Sequence, residues 1–322
     1  MKVSNIPNTN IIYLIENYEA LLFDAYGVLL NEFGVLPGAI NLIDKLNNTN
    51  KPYFILTNDA SRSVPTSSNF YKSFGLEIPE EKIITAGCSF TRYKWPTWSN
   101  YVEWFEPGYH VVNVGASGSS NETIMRSVYN AVNKWKNVEK VYVMWSEPNR
   151  YEVLHDKLDP TVKKDESVTY SRWDKDFEWN TFYGGHYYKD KHEYYVRHFQ
   201  NERQNNIRTL ERILFTQMFL ENNNIEYKMM CYKSIIVVHN RDQMTNGQRA
   251  LYDRINWKQF IFHNEFNGLN EFAEQQWPEQ FNKPTDEHPL PLAHYHWVKD
   301  VMYKSDILCP AEEYEKMKEW KI

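Results

Sequence analysis

An α/β architecture on parallel sheets is the fold class that this 322-residue sequence predicts, and three observations predict it. Short apolar runs at 20–30, 53–57, 82–86 and 138–145 lack polar alternation, as strands buried on both faces do. Segments between them carry apolar residues three or four apart, the helical spacing. Glycine and polar clusters separate the two kinds of segment, so strands and helices alternate as parallel sheets require.

Taken in order, the run 20–30 is a buried strand that ends at Gly27 and Val28. A helix follows over 38–47 on Ile40, Ile43 and Leu46. A second buried strand spans 53–57. A helix over 67–74 is closed by Gly75, and 82–86 is the third strand of a βαβαβ run. A second set begins with a strand at 111–114 and a helix at 122–135 with Ile124, Val128, Val132 and Trp135 on one face. The strand 138–145 comes next. Residues 150–200 are polar, aromatic and nearly aperiodic, which reads as an insertion or lid. A helix at 207–220 aligns Ile207, Leu210, Leu214 and Met218, then strands fall at 227–231 and 235–238 and a closing helix at 291–303. The domains expected are 1–81, then 82–310 with its polar insertion, then a tail at 311–322.

Composition excludes several classes. The net charge of −6 gives no basic footprint for nucleic acid. No run of about 18 apolar residues exists to span a membrane. The polar start, Met1 to Asn10, lacks the apolar stretch of a signal peptide. Cys88, Cys231 and Cys309 are too widely spaced for a disulfide framework or a zinc motif, which fits a reducing, cytoplasmic setting. Aromatic content is high, and packing accounts for most of it, because the rings are spread along the whole chain.

Chemistry concentrates in a few places. The strand at 82–86 runs into Gly87-Cys88-Ser89, a tight turn that can expose a serine hydroxyl. A serine needs a base to become a nucleophile at neutral pH. Asp286-Glu287-His288 offers one, with a carboxylate placed to hold the imidazole in one tautomer. Between them, Asn113 to Asn121 leads from a strand into a helix start, where backbone amides can bind an oxyanion. The strand 138–145 ends in Ser146-Glu147-Pro148-Asn149-Arg150, and polar residues at carboxyl ends of parallel strands line the ligand crevice. Arg150 is open to two readings, a substrate carboxylate or phosphate ligand and an ordinary loop arginine.

This order of pieces, over roughly 82–306, resembles the SGNH/GDSL hydrolase family, and the wording around Ser89 and Trp145 is similar to SGNH-like proteins of phages and bacteria. The resemblance implies a three-layer, flavodoxin-like parallel-sheet domain and an acyl or O-acetyl esterase. Ser89 would be the nucleophile, His288 its base and Asp286 the group orienting His288. The Ser89 and Gly118 amides would form the oxyanion hole. Cys88 stands where the family has aspartate, and Trp145-Ser146-Glu147 stands where it has Gly-x-Asn. Asn121 and Asn149 are the two candidates for the missing side-chain donor. The substrate implied is a small-molecule or glycan ester, with no cofactor, no nucleic acid and no membrane partner.

The amino-terminal third carries a second resemblance. Leu22-Phe23-Asp24-Ala25-Tyr26-Gly27 and Ile55-Leu56-Thr57-Asn58-Asp59 resemble the first two motifs of the haloacid dehalogenase superfamily, over about 15–87 and of the class with a cap after the second motif. That implies a Rossmann-like segment, with Asp24 as a phosphoryl acceptor and Thr57 and Asn58 beside it. Tyr26 stands where the second acid should be, and no late acidic pair for Mg²⁺ follows. The segment therefore reads as a truncated phosphatase half in which Asp24 is a relic or scaffold, with Mg²⁺ required only if that site is active. Three hypotheses follow: a serine esterase, a phosphatase using Asp24, and a non-catalytic binding protein on an SGNH frame.

Overall fold

The computed structural model describes residues 10–49, 51–56, 64–78, 81–156, 177–182, 201–234, 244–281 and 286–320. The chain divides into two compact units, Met1–Glu81 and Lys82–Ile322. Its fold is mixed α/β with parallel sheets.

In the first unit, α1 (Ile11–Asn17) is capped by the Asn10 side chain, which accepts from the Tyr13 amide at 2.9 Å. Next come β1 (Leu21–Asp24), a short antiparallel pair of β2 (Leu30–Asn31) and β3 (Gly34–Val35), α2 (Ala39–Asn48), β4 (Tyr53–Leu56) and α3 (Val64–Ser73). β1 and β4 pair in parallel, Leu21 opposite Tyr53 and Asp24 opposite Leu56. This is the Rossmann-like segment, though the third strand of the βαβαβ run, at 82–86, pairs in the sheet of the second unit.

One expectation is corrected here. Residues 20–30 do not form one buried strand. Leu21 is buried while its neighbour Leu22 is 61% exposed, and Phe54 and Leu56 of β4 are exposed too. Successive strand side chains point to opposite faces, and the buried set joins Ile43 and Leu46 of α2 in one small core.

The second unit is built on four parallel strands. They are β5 (Lys82–Ala86), β6 (His110–Asn113), β7 (Val138–Trp145) and, last in the chain, β10 (Glu226–Cys231), in the spatial order β10-β7-β5-β6. Between β7 and β10 lie β8 (Tyr151–Asp156) and β9 (Phe177–Phe182), an antiparallel pair inside the expected insertion. The rest of that insertion, with His186, His192 and His198, lies outside the described residues, as does the strand expected at 235–238.

The crossovers carry α4 (Trp98–Phe105), α5 (Asn121–Lys134) and α6 (Glu202–Asn222). Parallel crossovers are right-handed. The β5-to-β6 step and the β6-to-β7 step run in opposite directions, so α4 falls on one face and α5 on the other. Accordingly α5 packs on α6, whereas α4 packs on the late helix Pro291–His296. The remaining helices are α7 (Asn246–Tyr252), α8 (Leu269–Gln276), α9 (Pro291–His296, continued as a π turn to Met302) and α10 (Ala311–Lys318). Within the described part of the expected tail, Met317 of α10 is buried in the main core.

The chain leaves β5 toward β6 on one side and returns past it to β7 on the other. That reversal is the switch point of a doubly wound sheet, where the carboxyl ends of two adjacent strands open a crevice. Here those ends are Ala86 and Trp145. Among the described residues no helix is long and apolar enough to cross a membrane.

Candidate active site

The turn after β5 is set by close packing. A Cβ on Gly87 would lie 2.0 Å from the Thr91 hydroxyl and 2.9 Å from the Met144 carbonyl, and one on Gly115 would meet Thr91 at 2.9 Å. Thr91 is fully buried between the two glycines and accepts from the Trp98 indole at 3.2 Å. Glycine at position 87 is therefore required by a neighbouring side chain and backbone. Gly87→Ala is expected to cost about 1–3 kcal/mol through overpacking, read as a lowered Tm; an unchanged Tm would refute the tight fit.

This packing sends Cys88 into the core and turns Ser89 toward His288. Ser89 Oγ lies 2.7 Å from His288 Nε2, and His288 Nδ1 lies 2.6 Å from Asp286 Oδ1. Ser89 and His288 are 199 residues apart in sequence. The expected exposed serine is in fact only 6% exposed, and beside it Phe90 packs its ring against both His288 and Tyr232.

Asp286 accepts from four donors. The His288 ring and amide reach Oδ1, while the Tyr93 hydroxyl (2.7 Å) and the Lys94 ammonium (3.2 Å) reach Oδ2. Burial alone would raise its pKa. The hydrogen bonds outweigh that and hold it at about 2. For His288, burial is the largest influence and keeps the imidazole below the usual histidine value. Asp286 opposes that shift, and the positive charge of Arg150 reinforces it. An ionised Asp286 facing Nδ1 holds the ring proton there, which leaves Nε2 to accept from Ser89.

The expected oxyanion elements fall unevenly. Gly118 adopts φ 81°, and among the described residues neither its amide nor that of Ser89 is donated to any acceptor. Asn121 is corrected as a candidate. Its amide bonds the Ser146 carbonyl (3.0 Å) and Thr209 (3.1 Å), and its oxygen accepts from the Ser146 amide (2.7 Å), so the whole group ties α5 to the end of β7. Asn149 is half-buried on the loop after β7. Arg150 donates to the Ser119 carbonyl at 3.1 Å, which joins that loop to the one after β6.

His294 and His296 serve other ends. His294 is buried, and burial pushes its pKa down to about 3. His296 stacks on Trp277 and bonds Asp300. In the first unit, Asp24 is exposed at the end of β1, and Tyr26 donates to Glu32 at 2.5 Å. Thr57 and Asn58 lie outside the described residues. Among the described residues no group of three His, Cys, Asp or Glu is placed to hold a metal ion.

Sequence reading missed Tyr93 and Lys94. A signal was present: a Tyr-Lys-Trp run in the loop just past the Gly87-Cys88-Ser89 turn, and loops held by a rigid scaffold carry a large share of functional residues.

Residues 21–96 match the family model described as haloacid dehalogenase-like hydrolase. The amino-terminal segment is thus haloacid dehalogenase-like, and the match runs on through β5 and Ser89. No curated protein matches the chain. Among solved structures, a possible sugar phosphatase of the haloacid dehalogenase superfamily from Cytophaga hutchinsonii is 21% identical over 41% of this chain, with a TM-score of 0.20. The match spans 46% of that protein, less than half its length. A hypothetical protein from Pyrococcus horikoshii is 11% identical, covers 84% of this chain and 94% of its own, and has a TM-score of 0.19. Neither likeness is close enough to carry an argument about this chain.

Proposed function

We propose that the second unit is a serine-dependent ester hydrolase of the acyl or O-acetyl esterase type, acting on a small-molecule or glycan ester. The observation that carries the reading is the unbroken hydrogen-bonded chain from Asp286 through His288 to Ser89. In this reading His288 Nε2 takes the Ser89 proton as Oγ attacks the ester carbonyl. The Ser89 and Gly118 amides receive the oxyanion. His288 then protonates the departing alcohol, and a water activated by the same imidazole releases the acyl group. The test is a fluorophosphonate probe followed by mass spectrometry, with turnover of p-nitrophenyl acetate measured alongside. Label on Ser89 supports the reading. No label and no turnover overturn it, and leave a binding protein on this frame.

The pH dependence follows from the base. His288 must be neutral to accept the proton, so kcat/KM is expected to fall as pH drops through its pKa. Burial first, and then Arg150, place that midpoint below the ordinary value of about 6.5. A pH–rate profile with its acid midpoint above that value would count against His288 as the base.

The family match favours a second reading, a haloacid dehalogenase-type phosphatase using Asp24, and no comparison supports the SGNH resemblance. That reading predicts magnesium-dependent phosphatase activity on a small phosphate monoester that Asp24→Asn removes. On the first reading Asp24→Asn leaves ester hydrolysis unchanged. Assaying both activities in both proteins separates the two.

A further inference from the structure

The loop after the nucleophile folds back over the acid–base pair. Tyr93 lies four residues beyond Ser89, and its ring stacks on the His288 imidazole with centroids 4.1 Å apart and planes 16° from parallel. Its hydroxyl donates to Asp286 Oδ2 at 2.7 Å. Trp95 braces the tyrosine edge-on at 4.6 Å, and the Trp95 indole donates to the Pro289 carbonyl at 2.9 Å. One short loop therefore holds Asp286, His288 and the backbone beyond them.

We infer that Tyr93 is a positioning residue for the Ser89–His288–Asp286 chain, its hydroxyl turning the carboxylate and its ring capping the imidazole. The inference rests on the esterase reading of the same site. A carboxylate has two equivalent oxygens on a broad, roughly two-fold torsion. A donor fixed on Oδ2 removes that freedom and leaves Oδ1 for Nδ1. The ring meanwhile lies flat against the imidazole, where a π face stabilises the cation formed when Ser89 gives up its proton. Lys94 also reaches Oδ2, but its side chain is 57% exposed. A solvated ammonium on a flexible stem orients a carboxylate less well than a stacked phenol does.

The test uses Tyr93→Phe and Tyr93→Leu in the full chain. Three quantities are read: the rate of fluorophosphonate labelling across the acid limb, the Tm, and the far-downfield proton resonance of His288 Nδ1–H. Tyr93→Phe keeps the stack and loses only the hydroxyl. Its labelling is expected to slow about tenfold, as a small misplacement does, with little change in Tm. The acid midpoint is expected to move up, because a carboxylate with one donor fewer holds the imidazolium more strongly, and the Nδ1–H resonance is expected to shift. Tyr93→Leu is expected to slow labelling further. Wild-type labelling, midpoint and resonance in Tyr93→Phe would overturn the inference. A lowered Tm with midpoint and resonance unmoved would overturn it too, since that describes packing alone. An unlabelled wild type would sink the esterase reading instead, while the Nδ1–H resonance would still report whether Tyr93 orients the pair.

Discussion

Ser89→Ala is expected to abolish covalent labelling and to lower kcat for ester hydrolysis by on the order of 10⁶-fold, the loss seen when the nucleophile of a serine triad is removed. The effect is large because the hydroxyl is the sole bond-forming atom in the proposed reaction. Without Oγ, His288 has no proton to take, and the amides of Ser89 and Gly118 can only polarise a carbonyl that nothing attacks. The substitution removes one buried oxygen, so folding should survive it, and an unchanged Tm checks this. An alanine variant that keeps more than a tenth of wild-type turnover would show that the ester is cleaved elsewhere in the chain.

Asp286→Asn is expected to cost about 10⁴-fold in kcat. An amide in place of the carboxylate can present N–H to His288 Nδ1. The imidazole then moves its proton to Nε2, and the Ser89 hydroxyl loses its acceptor. The ion pair with Lys94 is lost in the same step. Fluorophosphonate labelling should slow in parallel with turnover, because both need the same proton transfer. Equal labelling rates in the variant and the wild type would remove Asp286 from the mechanism.

In the second unit β5 and β7 were readable because each carries an apolar stretch that the sheet buries, Ile83–Ile84 and Val141–Trp145. The run 138–145 and the observed β7 coincide. Residues 20–30 misled because a buried strand and an alternating one look alike when the outward positions are also apolar, as Leu22 is. The Ser89–His288–Asp286 set could be assembled from motif order alone. Its aromatic surroundings could not: Tyr93 meets Asp286 across 193 residues, and contacts at that separation leave no periodic trace. Asn121 likewise looked like a catalytic donor because its position and chemistry suited one, and only its hydrogen bonds to Ser146 and Thr209 show it already committed.

Thr91, wedged between Gly87 and Gly115, has a consequence for how Ser89 and Gly118 come together. The Gly87 carbonyl accepts from the Ala116 amide, Asn113 donates to the Thr91 carbonyl, and Ser117 donates to the Arg92 carbonyl. The loop bearing Ser89 and the loop bearing Gly118 are thereby cross-linked along their length. Their relative placement is settled once, during folding. On the proposed esterase reading, a substrate would meet donors already aligned, leaving its binding energy free to discriminate among acyl and alcohol groups.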